Sequence, residues 1–204
     1  AEKLTFHLNH PNVIHQVPII CHSSDFSALL TEFATYGDFF EIVTSGILNS
    51  EKLIRSYFHQ IVAGLEYLHS QNIAHLDLKL DNLTIGADFL LKIIDFDQAQ
   101  GLQDNFTASV GTKGFRAPEI RQKNCSNLAA ADIFSIGVIL YACKVKQLPF
   151  KEKEDPEKID VACFDTYKEQ KELFWQTIAK YQNDEKFFSE DFIELIDGMV
   201  HQDP

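Results

Sequence analysis

From residue 128 to residue 144 the chain is apolar on nearly every side of a helix. A helix with no polar face cannot lie on a surface, so other elements must wrap it and make it the centre of a core. The most apolar part, residues 133–143, reads as too short to cross a bilayer and adjoins Asp132, which favours burial in protein over lipid. The chain has 204 residues, 45% of them hydrophobic and 24% charged, enough for one domain with such a core.

The covering elements can be read along the sequence. Residues 1–9 suit the end of a helix, stopped by His10-Pro11. Residues 13–20 and 26–33 read as two strands around a Ser-Ser-Asp turn, and Gly37-Asp38 breaks the chain. The clearest amphipathic helix runs from Ser50, its N-cap, to about Ser70. Its apolar face is Leu53, Ile54, Tyr57, Phe58, Ile61, Val62, Leu65 and Leu68. Short strands are expected at 83–85 and 90–94, around Gly86-Ala87-Asp88. Residues 97–112 form a long functional loop, and residues 151–158 a solvated one. Helices are expected at 164–181 and at 189–200, the second capped by Ser189.

Composition narrows the function classes. A formal net charge of −12 argues against nucleic acid or an anionic membrane as partner and allows a basic peptide. Cys21, Cys125, Cys143 and Cys163 have no Cys-x-x-Cys spacing and read as free thiols of a reducing, cytoplasmic or nuclear compartment. No signal peptide is read at the start. His7, His10, His15 and His22 lack the spacing and cysteines of a zinc site.

Three short stretches carry the chemistry. They are His75-Leu76-Asp77-Leu78-Lys79-Leu80-Asp81-Asn82, then Asp95-Phe96-Asp97, then Ala117-Pro118-Glu119. In this order they resemble the catalytic loop, metal-binding triplet and activation-segment end of a eukaryotic protein kinase, whose signatures are H-R-D-L-x-x-x-N, D-F-G and A-P-E. The resemblance covers nearly the whole chain. It implies an α+β, protein-kinase-like fold: a mostly helical C-lobe over residues 34–204 and a remnant of the N-lobe sheet and hinge over residues 1–33. The Gly-rich loop and strand Lys of the family do not occur in the chain, and its helix Glu would fall near Ala1, one position from Glu2.

The resemblance also implies roles. Asp77 would accept the proton of the substrate hydroxyl, and Lys79 would neutralise charge on the transferred phosphate. Asn82 and Asp95 would hold Mg²⁺ through oxygen. Lys79 is the Ser/Thr-kinase pattern, and Gly111-Thr112 resembles the matching docking loop, in which Thr112 would hydrogen-bond Asp77 and Lys79. Thr31 would be a small gatekeeper. The carbonyl of Glu32 and the N–H of Ala34 would meet adenine, with Asp38 near the ribose or a basic substrate residue. His75 and Phe96 would stack, and Asp132 would bind the catalytic-loop backbone. The implied activity is ATP- and Mg-dependent phosphorylation of a protein Ser or Thr. Leu148-Pro149-Phe150 and the Gly111-Thr112 loop lean towards the calcium/calmodulin-dependent and AMP-activated-like branch.

The departures support an alternative, a pseudokinase or scaffold that binds protein partners. Leu76 replaces the Arg that pairs with a phosphorylated activation loop, so Thr107 and Ser109 read as exposed hydroxyls. Asp97 replaces a Gly and adds a carboxylate beside Asp95. Thr84 puts a hydroxyl under the adenine, where it would weaken nucleotide binding, whereas Leu80 in place of a Pro is a mild change. The usual Arg partner of Glu119 would follow Asp203-Pro204. A chain without the phosphate-covering loop is expected to transfer phosphate negligibly. The oligomeric state has no sequence signal.

Overall fold

The computed structural model describes residues 5–22, 27–104, 106, 110–123, 125–150 and 167–201, with side chains from 18 to 28 left aside. The readings on Glu2, Cys21, His22, Thr107, Ser109, residues 151–158, Cys163 and Asp203-Pro204 lie outside this description.

Helix α4 (Leu128–Val145) is the centre, as its sequence demands, and its side chains are buried on all faces. Asn127 caps it by accepting from the Ala130 N–H. At 18 residues it is long and apolar enough to cross a membrane, contrary to the length argument, but most of it is buried inside the protein. Burial, and not length, is what makes it a core helix. Lys146 ends it in the left-handed region, φ 63°. The Lys146 ammonium donates to the carbonyls of Leu48 (2.7 Å) and Cys143 (2.8 Å).

Other helices pack on α4. Helix α2 (Glu51–Ser70) is capped by Ser50 and buries Ile54, Ile61, Leu65 and Leu68. Leu53 and Val62, at the edges of the expected apolar stripe, remain exposed. Helix α6 (Glu190–Met199), capped by Ser189, approaches α4 so closely that a Cβ on Gly137 would lie 2.9 Å from Met199 Cβ. Helix α5 (Lys171–Tyr181) contributes Trp175 to an aromatic cluster with Tyr141, Phe174 and Phe188. The expected helix over 164–181 is interrupted at Gln170 in its described part.

The described strands form three antiparallel pairs. β1 (Gln16–His22) pairs with β2 (Ser27–Thr31), with an irregularity between Val17 and Ile20 beside Pro18, which has no N–H to donate. β1 starts later than expected, because Val13 bridges to Ile93 instead. β4 (Leu83–Ile85) pairs with β5 (Leu91–Ile93), and β3 (Ile73–Ala74) pairs with β6 (Gln100–Gly101). Sequence reading missed β3 and β6, two residues each and too short for any period. It also missed α1 (Phe39–Thr44), although Asp38 and Glu41 stand at capping-box spacing. A four-residue helix, α3 (Pro118–Arg121), begins on Pro118. The mixture of helices and small sheets is the expected α+β class.

Candidate active site

Between β3 and β4, residues 75–82 alternate. Leu76, Leu78 and Leu80 are buried, while Asp77, Lys79 and Asp81 turn outward. The three buried leucines anchor the loop in the core and leave the polar residues between them less buried, while the left-handed Leu76 and a 3₁₀ turn over Leu80–Asn82 set its course. Asp132, fully buried on α4, fixes the loop's start. Its carboxylate accepts from the His75 and Leu76 N–H groups, both at 2.8 Å, and contacts His69 Nε2 at 3.0 Å. Leu76 is thereby held at φ 65°. The His75 ring accepts the Asp77 N–H on Nδ1 (3.2 Å) and donates from Nε2 to the Ile94 carbonyl (2.9 Å). Phe96 packs against this ring, 5.3 Å between centroids, so the expected His75–Phe96 support is present.

Four predicted residues meet around one carboxylate. Thr112 Oγ1 donates to Asp77 Oδ1 at 2.7 Å. Lys79 Nζ lies 3.2 Å from Asp77 Oδ2 and donates to Thr112 Oγ1 at 3.1 Å. Asn82 Nδ2 donates to Asp77 Oδ2 (3.1 Å) and to the Asp77 carbonyl (2.9 Å). A hydroxyl has one proton, so Thr112 must give it to Asp77 and receive from Lys79. Gly111 delivers Thr112 by two means. It sits at φ +82°, and a Cβ there would lie 2.8 Å from the Leu76 carbonyl oxygen.

A cavity of about 430 Å³ opens beside this cluster. Thr31, Glu32, Ala34, Thr84 and Asp95 line it, as expected, joined by Thr5, Ile14, Gln16, Ile94 and Asp97. The first three of these come from the N-terminal stretch and had no sequence signal for a site. Asp38 is not in the lining; its carboxylate accepts the Glu41 N–H (2.9 Å) as the cap of α1. The Thr84 hydroxyl donates to the Gly37 carbonyl at 2.6 Å, so it is a satisfied group and not the exposed polar atom expected under a ligand.

The β4–β5 register joins cavity and cluster. Leu83 pairs with Ile93, and the Ile94 N–H donates to the Asn82 carbonyl at 3.0 Å. Asn82 therefore faces Ile94, one residue from Asp95. Asp95 is exposed at φ 63°, a conformation that Asp tolerates better than most residues. The Asp97 N–H donates to Asp95 Oδ1 at 3.3 Å. Asn82 Nδ2 is committed to Asp77, which leaves the Asn82 amide oxygen as its acceptor atom.

A family model described as "Protein kinase domain" matches residues 2–204. The probable serine/threonine-protein kinase RTK1 of Saccharomyces cerevisiae is 34% identical over 151 residues, 71% of this chain and 24% of that protein. Serine/threonine-protein kinase SAPK9 of Oryza sativa subsp. japonica is 35% identical over 154 residues, 74% of this chain and 42% of that protein. CBL-interacting serine/threonine-protein kinase 8 of Arabidopsis thaliana is 37% identical over 164 residues, 77% of this chain and 36% of that protein. The chain thus spans less than half the length of these curated relatives.

Proposed function

We propose that this chain, which belongs to the protein kinase domain family, is part of a catalytic domain that, when complete, transfers the terminal phosphoryl group of ATP to a Ser or Thr hydroxyl of a protein. One observation carries the reading: Asp77, Lys79, Asn82 and Thr112 form a closed hydrogen-bonded set at the Asp95 end of the cavity. A scaffold gives no physical reason to keep all four.

Phosphoryl transfer asks a protein mainly for positioning and charge stabilisation. Asp77 would accept the proton of the acceptor hydroxyl, held towards it by Thr112 and Asn82. The Lys79 ammonium is placed between Asp77 and Thr112, where it can meet negative charge on a phosphate. Asp95 and Asn82 would hold Mg²⁺, which neutralises phosphate oxygens when bound. Thr31, the Glu32 carbonyl and the Ala34 N–H would receive the adenine, and the cavity volume is in the range of ligand pockets. Thr84 forms part of the wall with its hydroxyl turned away to Gly37. Asp38 would act at the rim, on ribose or a basic substrate residue. Lys79 and Thr112 support the Ser/Thr class, and the calcium/calmodulin-dependent and AMP-activated-like branch remains part of the proposal.

The division into an N-lobe remnant over residues 1–33 and a C-lobe over residues 34–204 belongs to the same reading. So does an intracellular setting, supported by the free thiols of Cys125 and Cys143. The protein partner would be a substrate, with no nucleic acid or membrane involved.

The test is phosphate incorporation from Mg·ATP into a generic basic protein by the full-length protein that carries this chain, beside an Asp77→Asn control. Incorporation that disappears in the control supports the kinase reading. Incorporation equal in both samples, or absent from both, removes it, and the second result leaves the protein-binding module.

A further inference from the structure

The expected adenine acceptor, the Glu32 carbonyl, lies where a β-ladder would normally consume it. β1 and β2 pair Gln16 with Thr31, so His15 and Glu32 are the next opposed pair. In an antiparallel ladder, a hydrogen-bonded pair exchanges both N–H···O bonds. Here only one is made by backbone: the Glu32 N–H donates to the His15 carbonyl at 2.9 Å. The reciprocal donor, the His15 N–H, goes instead to the Glu32 side chain, Oε1, at 2.8 Å. Among the described residues no N–H donates to the Glu32 carbonyl.

Lys92 holds this substitution in place. Its ammonium, on a buried residue of β5, lies 3.2 Å from the same Glu32 Oε1 and donates to the Pro11 carbonyl at 3.1 Å. A buried ammonium needs such partners, so the Glu32 carboxylate is drawn to it and kept over the His15 N–H. β5 also leads into Asp95, so Lys92 ties the adenine end of the cavity to its cation-binding end.

We infer that Glu32 and Lys92 are positioning residues for purine recognition: the Glu32 side chain takes the ladder bond of its own carbonyl, leaving that carbonyl to accept the 6-amino group of adenine. This rests on the nucleotide reading above and adds to it a purpose for two side chains that touch no substrate. Purines without a donor at position 6 gain nothing from the free carbonyl, and a keto group there meets it as one acceptor against another.

The experiment compares the binding of ADP and purine riboside diphosphate, which lacks the 6-amino group, to the purified protein and to Glu32→Ala, Glu32→Gln and Lys92→Met. The parent protein is expected to bind ADP about tenfold more tightly than purine riboside diphosphate. In Glu32→Ala the His15 N–H recaptures the carbonyl, so ADP affinity falls about tenfold while purine riboside diphosphate affinity stays and discrimination vanishes. Glu32→Gln, which keeps an oxygen for His15, retains most of the discrimination. Lys92→Met gives a partial loss in the same direction and carries the test should Glu32→Ala not fold. Parallel weakening of both ligands, or discrimination that survives Glu32→Ala, overturns the inference and leaves the nucleotide site standing. A parent protein that binds neither nucleotide overturns the nucleotide reading and this inference with it.

Discussion

Removing the Asp132 carboxylate tests the physical basis of the loop that carries Asp77. Asp132 is fully buried and accepts two backbone N–H groups at 2.8 Å, those of His75 and Leu76. In Asp132→Ala both donors lose their acceptor in a site closed to water. Each buried orphan costs about 1–3 kcal/mol, so the pair costs about 2–6 kcal/mol. Against a total stability of about 5–15 kcal/mol for a domain, this is a large fraction. A second consequence is local. Leu76 sits at φ 65°, which costs a residue with a Cβ about 1–2 kcal/mol, and Asp132 is the group that keeps it there. The loop should therefore relax before the domain unfolds. Urea denaturation gives the global cost, and hydrogen exchange at the His75 and Leu76 amides gives the local one. Asp132→Asn keeps one oxygen but turns an NH₂ towards a backbone donor, so it should fall between parent and Ala. His69→Ala, which removes a single part-buried contact, should cost only about 0.5–1.5 kcal/mol. An Asp132→Ala protein that loses less than about 1 kcal/mol, with both amides still protected, would refute the argument that this carboxylate holds the loop.

Three further outcomes are expected. Thr112→Ala removes the bond to Asp77 and the acceptor for Lys79, so turnover should fall by up to about a hundredfold at nearly constant nucleotide affinity, and Thr112→Ser should restore it; steady-state kinetics beside nucleotide titration separates the two effects. Gly111→Ala should lose at least about 1 kcal/mol in urea denaturation and displace Thr112, since the position combines φ +82° with a carbonyl 2.8 Å from the added Cβ. Burial pushes the Cys143 thiol from 9.0 up to about 12, so the folded state keeps a proton that the unfolded chain releases between those values. This contribution is complete below the unfolded value and is lost as pH rises towards the folded one, so stability should decline above pH 9 and decline less in Cys143→Ala, as read by urea midpoints along a pH series.

What the sequence revealed and what it hid separate by the range of the forces involved. Helix α2 was legible because Ser50 caps it and its apolar residues recur at helical spacing, both local signals. α4 was legible because all-round apolarity leaves a helix one destination. Asp77, Lys79 and Asn82 were legible as a motif, and the burial of Leu76, Leu78 and Leu80 explains physically why that motif holds its shape: leucines anchored in the core fix the polar residues between them. Leu76 thus reads in two ways. As a missing Arg it removes a phosphate partner; as a buried leucine 5% exposed it anchors the loop, and an Arg there would have to leave that apolar site. The capping role of Asp38 was there to be read in its spacing to Glu41, though only a ligand contact was drawn from it. Hidden altogether was the arrangement at Glu32. Its carboxylate meets a backbone N–H from β1's entry and an ammonium from β5, groups far apart in the chain, and no local pattern foretells that a side chain will take over a ladder bond. The cavity's acceptor therefore depends on tertiary contacts that only the assembled fold makes.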